Sequence, residues 1–189
     1  VYLGDWLNPL EITGGFTGII LEGTGCQVRT CTVYGCTNVG VKITGNNSAL
    51  IDGLIRDNGW TGVHMRTSQN VSVVAHSVIR DNAEHGIRAE AVGADIAVVD
   101  IHHNTITGNG DCGIYAYTLN DNEVRVVNNT LAGNVSHALY GRSEYGDYRV
   151  RLTARNNVIQ SEGPGSSCVR LQVELAGILD YNTYHAVNG

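Results

Sequence analysis

The feature that most constrains this chain is a motif written repeatedly at nearly constant spacing. Residues 54–66 read LIRDNGWTGVHMR and residues 78–90 read VIRDNAEHGIRAE. Each holds Ile-Arg-Asp-Asn, three variable residues, then glycine and an aliphatic residue. Aligned on the glycine, the series runs Gly18, Gly40, Gly62, Gly86, Gly113 and, with alanine in its place, Ala138. The steps are 22, 22, 24, 27 and 25 residues, and the aliphatic partners are Ile19, Val41, Val63, Ile87, Ile114 and Leu139. A period in this range means stacked repeats, because one unit so short cannot bury its own apolar face.

Four residues before each glycine or its alanine stands Asn58, Asn82, Asn109 or Asn134, with Cys36 in the equivalent place. A second column holds Cys31, Gly53, Ser77, Asn104 and Asn129, and extends to Asn157 and Asn182. The segments between columns alternate apolar and polar letters, the period of a strand; no useful 3.6-residue pattern occurs. A third strand alternates through Val71 and Val73, Ile96 and Val98, Val124 and Val126, and Val150 and Leu152. That phase puts Ser72, Val74, Ala97 and Val99 on its outer side. Corner asparagines are expected to hydrogen-bond the turns and their own copies above and below. Corner glycines are expected to supply unusual dihedrals.

Three short strands every 22 to 27 residues make one winding of a solenoid whose windings stack about 4.8 Å apart. The expected fold is all-β: a right-handed single-stranded parallel β-helix of about seven to eight coils, three strands per coil. Residues 1–189 form one domain, with residues 1–13 as a less regular lead-in. A leucine-rich repeat shares the period, but its consensus is absent. The repeat is interrupted twice, between Tyr140 and Val150 and around Gly163-Pro164-Gly165. Neither end reads as a cap, although Trp6 and Leu7 could plug the first coil. Unless covered, a solenoid end exposes strand edges, so the chain is expected to be a piece of a longer β-helix or to self-associate through its ends.

These N-x-x-x-G-[IV] copies, from about Gly14 to Tyr184, resemble the right-handed parallel β-helix superfamily, the pectate-lyase-like fold of many polysaccharide-active proteins. The resemblance implies the fold, a polysaccharide partner and an extracellular or periplasmic setting. It does not imply a particular activity, because the shared motif is structural. The clustered aspartates of calcium-dependent pectate lyases, the aspartates of polygalacturonases and an epimerase-like Asp-Pro-His-Asp motif are all missing.

Composition narrows the partners. Net charge is −6, against nucleic acid, and no apolar run approaches the ~18 residues of a membrane span. The five cysteines, Cys26, Cys31, Cys36, Cys112 and Cys168, include no C-x-x-C pair, and no cysteine/histidine spacing matches a zinc site. No metal and no cofactor are therefore expected. The cysteines read as buried free thiols; a disulfide among Cys26, Cys31 and Cys36 stays open.

Strand alternation also nominates a working face. The aliphatic after each corner glycine points inward, so the next residue points out. This puts Lys42, His64 and Arg66, Arg88 and Glu90, Tyr115 and Tyr117, and Tyr140 and Arg142 on one surface. Trp60, Glu84, His85, Asp111 and His137 border it in the turns. An acidic chain has gathered cations and aromatics into one strip, which suits an acidic, uronate-type polysaccharide. Proton abstraction beside a uronate carboxylate needs a cation for the carboxylate, a base, and an acid. The candidates are Arg66 and Arg88 for the first, His64 for acid–base work, and Tyr115 for the second proton. Lys42, Trp60, His85, Glu90, Asp111, Tyr117, Tyr140 and Arg142 would bind substrate. Hydrolysis is disfavoured, since Glu90 and Asp111 are the only plausible carboxylate pair. The expected chemistry is that of a lyase or C5-epimerase. The alternative is a non-catalytic glycan-binding or structural segment of a larger surface or tailspike-like protein.

Overall fold

In a computed structural model, the structure describes residues 9–93, 96–119, 122–142, 151–162, 165–172 and 178–187. Every regular element among them is a strand. The start of the lead-in with Trp6 and Leu7, most of the first interruption, and Gly163-Pro164 lie outside the described residues. Leu10–Thr13, within the expected lead-in, is a strand in parallel register with Cys31–Tyr34.

The chain winds through three faces. The front face stacks seven parallel strands, the central ones being Val63–Thr67, Ile87–Ala91, Ile114–Thr118 and His137–Arg142. The second face carries Asn70–Ala75, Ala97–His102, Glu123–Val127, Arg151–Arg155 and Ile178–Asp180. The third carries Val78–Arg80, Thr105–Thr107, Thr130–Asn134, Val158–Glu162 and Thr183–Val187. Gln27–Tyr34 and Ala49–Arg56 run unbroken round the corner between the second and third faces. The seven front strands among the described residues give a winding number roughly consistent with the seven to eight expected. Among the described residues, no helix is long and apolar enough to cross a membrane.

The Ile-Arg-Asp-Asn signature now has a physical meaning. Ile55 and Ile79 are fully buried. Arg56 and Arg80 point outward and pair with the adjacent Asp57 and Asp81. Asp57 and Asp81 adopt left-handed backbone, with φ of 53° and 54°. That turns Asn58 and Asn82 into the interior, where Asn58 Nδ2 donates to Asn82 Oδ1 at 2.9 Å and Asn82 Nδ2 to Asn109 Oδ1 at 3.0 Å. Asn109 continues the ladder to Asn134 at 2.9 Å. A second ladder runs Asn104, Asn129, Asn157 and Asn182 at the corner between the second and third faces. There the left-handed residues are Thr30, Asp52, His76, His103, Asn128, Asn156 and Tyr181, each directly before a ladder position.

Two expectations need correction. The repeat glycines Gly40, Gly62, Gly86 and Gly113 do not supply positive φ. They supply space: a Cβ on Gly86 would sit 2.5 Å from Ile106 Cγ2, 2.7 Å from the Gly113 carbonyl oxygen and 2.8 Å from Asn109 Nδ2. The phase of the second face is also reversed in its middle windings. Ser72, Val74, Ala97 and Val99 are fully buried, whereas Val71 is 39% and Ile96 72% exposed. Register decides this, because Val99 pairs with Ser72 on one side and with buried Val124 on the other. Valines on both sides of the strand erased the alternation that would have shown it.

All five cysteines are free. Cys31, Cys36 and Cys112 are buried, while Cys26 and Cys168 are half-buried. Burial pushes the Cys31 thiol up to about 11 and, with Asp111 adding to the effect, Cys112 up to about 12. At neutral pH neither is a reactive thiolate.

Candidate functional site

On the front face, parallel register converts repeat positions into columns. One column runs Ile20, Lys42, His64, Arg88, Tyr115, Tyr140 and Arg170. Beside it run Arg66, Glu90, Tyr117, Arg142 and Gln172. The strip read from strand alternation is therefore continuous in space.

Its centre is Glu90. The Arg88 Nε–H donates to Glu90 Oε1 at 2.7 Å. His64 Nε2 lies 3.5 Å from the same oxygen, and Arg66 Nε 3.8 Å from Oε2. Glu90 is only 7% exposed, although it lines the open surface of the strip. Side chains from its own strand and from the winding below close over it. Burial alone would raise its pKa, but His64 and Arg88 outweigh that and hold the carboxyl at about 2. An anion surrounded by three basic side chains is a positioning device, which fixes where their remaining N–H groups point.

Around this hub lies an aromatic layer. The Arg88 guanidinium sits 5.5 Å from the ring centroids of both Trp60 and Tyr115. Trp60 meets His64 edge-on at 5.9 Å. His85 stacks on Tyr115 at 5.0 Å and faces Asp111 Oδ2 through Nδ1 at 3.4 Å. Burial lowers the His85 pKa, with Asp111 acting against it, so the ring is neutral at neutral pH. His85 is 7% exposed and, stacked on Tyr115, forms part of the floor of the strip. Farther up, Tyr140 meets Tyr115 edge-on at 5.4 Å, and Arg170 lies over Tyr140 and 3.2 Å from His137 Nε2.

An open depression of about 240 Å³ lies here, lined by Arg66, Arg88, Glu90, Val92, Tyr115, Tyr117 and Leu119. The structure thus brings together Arg66, Arg88 and Tyr115 of the expected catalytic set. His64 adjoins them through Glu90, with its Nε2 shielded from solvent. Lys42 lies one winding below His64, and Tyr140 and Arg142 one winding above Tyr115 and Tyr117, so these three flank the depression along the columns. Asp111 stands beside His85, and Glu90 is taken up by its cations. Val92 and Leu119 were not legible as site residues, because each lies just past the alternating run of its front strand. Burial raises the Tyr115 pKa, partly offset by Arg142, which keeps it a phenol at neutral pH.

Stacked parallel windings, two asparagine ladders and an open front face define a right-handed parallel β-helix protein. The chain belongs to the family described as "right handed beta helix region", whose model matches residues 8–131. No curated protein matches it. Among solved structures it is similar to an aspartate-to-alanine mutant of the periplasmic alginate epimerase AlgG, with 16% identity and a TM-score of 0.75 over 99% of this chain and 45% of that one. It is likewise similar to the A-module of the Azotobacter vinelandii mannuronan C-5 epimerase AlgE6, with 16% identity and a TM-score of 0.76 over 99% of this chain and 51% of that one. The chain thus spans about half the length of these structures, and the likeness is one of fold.

Proposed function

We propose that the front face binds an acidic, uronate-type polysaccharide and removes the C5 proton of one residue, as a lyase or C5-epimerase does. The observation that carries this reading is the depression in which Arg66, Arg88, Tyr115 and Tyr117 surround the buried Glu90 hub. The fold shared with an alginate epimerase and a mannuronan C-5 epimerase supports it. Arg66 is 62% exposed on its side chain and only loosely held at 3.8 Å by Glu90, so it can turn to a substrate carboxylate. Arg88 remains with Glu90 and offers its other N–H groups.

The chemistry follows from those positions. The carboxylate of the sugar, neutralised by Arg66, acidifies its C5 proton. His64 takes that proton through Nδ1, while Glu90 at Nε2 orients the ring and stabilises the imidazolium. The electron pair moves into the carboxylate as an enediolate, which the arginines stabilise. If the Tyr115 phenol returns a proton to the opposite face of C5, the product is the epimer. If it protonates the departing C4 oxygen, the chain breaks and an unsaturated uronate forms.

Incubating the protein with polymannuronate or another polyuronate in deuterated water tests the reading. Deuterium at C5 marks epimerisation, and ultraviolet absorbance of an unsaturated uronate marks elimination. His64→Ala should lower the rate by roughly 10²–10⁴-fold, and Arg66→Ala should mainly raise KM. A second reading, glycan binding without turnover, is favoured by one observation: Glu90 already neutralises Arg88 and occupies His64 Nε2. Polymer binding weakened by Arg66→Ala, with no isotope incorporation, would select it.

A further inference from the structure

The corner between the second and third faces, distinct from the front face, holds a feature that the proposed chemistry does not use. His76, His102 and His103 each place one ring nitrogen so that the three lie within 4.8 Å of one another. His76 and His103 are left-handed corner residues of successive windings, with φ of 53° and 56°, and the His76 N–H donates to the His102 carbonyl. Their rings stack at 5.0 Å. His102 meets both edge-on, at 5.8 Å from His76 and 5.2 Å from His103. His102 Nδ1 and His103 Nδ1 are 3.0 Å apart, so one must donate a proton to the other's lone pair.

We infer that His76, His102 and His103 form a binding site for a borderline divalent transition metal, zinc foremost, which clips two windings together. Imidazole is the commonest zinc ligand, and Zn–N bonds of 2.0–2.1 Å in a tetrahedron put ligand nitrogens about 3.3 Å apart. The two Nδ1 atoms already stand near that separation. The third nitrogen needs only ring rotation, which exposed His76 and His103 can make. Three protein ligands leave the fourth position to water. The metal takes the place of the proton shared by the two Nδ1 atoms; that proton passes through solvent to His102 Nε2, so both ligands stay neutral imidazoles and no net proton is released.

The winding above supplies a supporting contact. Asn128, the next residue in the left-handed column, places its side-chain amide 3.2 Å from His103 Nε2. With its oxygen turned to that nitrogen, it accepts an Nε2–H and leaves the Nδ1 lone pair for the metal, as ligating histidines require. The other such trio among the described residues, His85, Asp111 and Cys112 at the border of the front face, is less suited. Its thiol is protonated and its histidine is packed into the front-face floor.

Sequence spacing hid this site. His102-His103 and His76 carry no zinc signature, and only the register of 27-residue windings brings them together. The expectation of no metal rested on cysteine and histidine spacing along the chain.

Titration of the tag-free protein with ZnCl2, followed by calorimetry and thermal melting, tests the inference. Wild type is expected to bind zinc and to melt at higher temperature with it. His76→Asn and His103→Asn keep a residue suited to the corner, since Asn128 and Asn156 hold it in later windings. Each should weaken binding more than tenfold and abolish the thermal shift. Asn128→Ala should weaken it about tenfold, and Asp111→Asn should leave it unchanged. The inference is overturned if wild type shows no binding at millimolar zinc. It also fails if the two histidine variants bind as wild type does, or if Asp111→Asn is the change that abolishes binding.

Discussion

At the scale of the residue, the interior asparagines hold the windings in register. Asn82 accepts from the Asn58 backbone N–H and side-chain amide through Oδ1, and donates to Asn109 Oδ1 and to the Arg80 carbonyl. Asn82→Ala strands several buried groups, each worth about 1–3 kcal/mol when left unpaired. Urea unfolding should show a loss of about 2–4 kcal/mol. Asn182→Ala should cost less, because Asn182 is half-buried. Gly86→Ala should cost at least ~1–3 kcal/mol, the usual range for overpacking, because backbone is among the atoms its Cβ would strike. Cysteines differ in the same local way. Native-state labelling with a thiol reagent should modify Cys26 and Cys168 and spare Cys31, Cys36 and Cys112 until the protein unfolds.

At the scale of the element, the front strand Ile87–Ala91 shows what stacking adds to alternation. Glu90 faces outward by its place in the strand, yet Arg88 of its own strand and His64 and Arg66 of the strand below enclose it. Its folded pKa of about 2 lies below the ~4.3 of an unfolded glutamate. Its stabilisation is therefore complete above pH ~4.3 and fades as pH falls through about 2, and is on the order of 3 kcal/mol. Glu90→Gln should lose much of this at neutral pH and little at pH 2, which denaturant unfolding at the two pH values will measure. The front columns were legible in the sequence because one aliphatic after each corner glycine sets the phase of a strand. The enclosure of Glu90 and the shielding of His64 Nε2 were not, because they depend on side-chain reach between windings. The second-face strand Asn70–Ala75 was misphased, since Val71, Val73 and Val74 offer no contrast between sides.

At the scale of the whole molecule, the buried histidines pull in one direction. Burial lowers the pKa of His85 and of His137, so below the ordinary histidine pKa of ~6.5 the unfolded chain binds more protons. Stability should then rise with pH toward ~6.5 and level off above it, with the Glu90 contribution disappearing separately at lower pH. Thermal melts across this range should show both stages of acid destabilisation.

What the sequence determined alone was the winding and the content of the front face. A repeat of 22 to 27 residues with strand alternation fixes which letters stack, since equivalent positions must satisfy equivalent backbone contacts. What only the tertiary structure decided were the closure of Glu90, the neutral floor around His85 and the meeting of His76, His102 and His103. Each depends on distances between side chains in different windings, and those are set by the turn angle at a left-handed corner and by how far neighbouring side chains extend. The sequence carries these quantities one residue at a time, and they act only once the windings lie against one another.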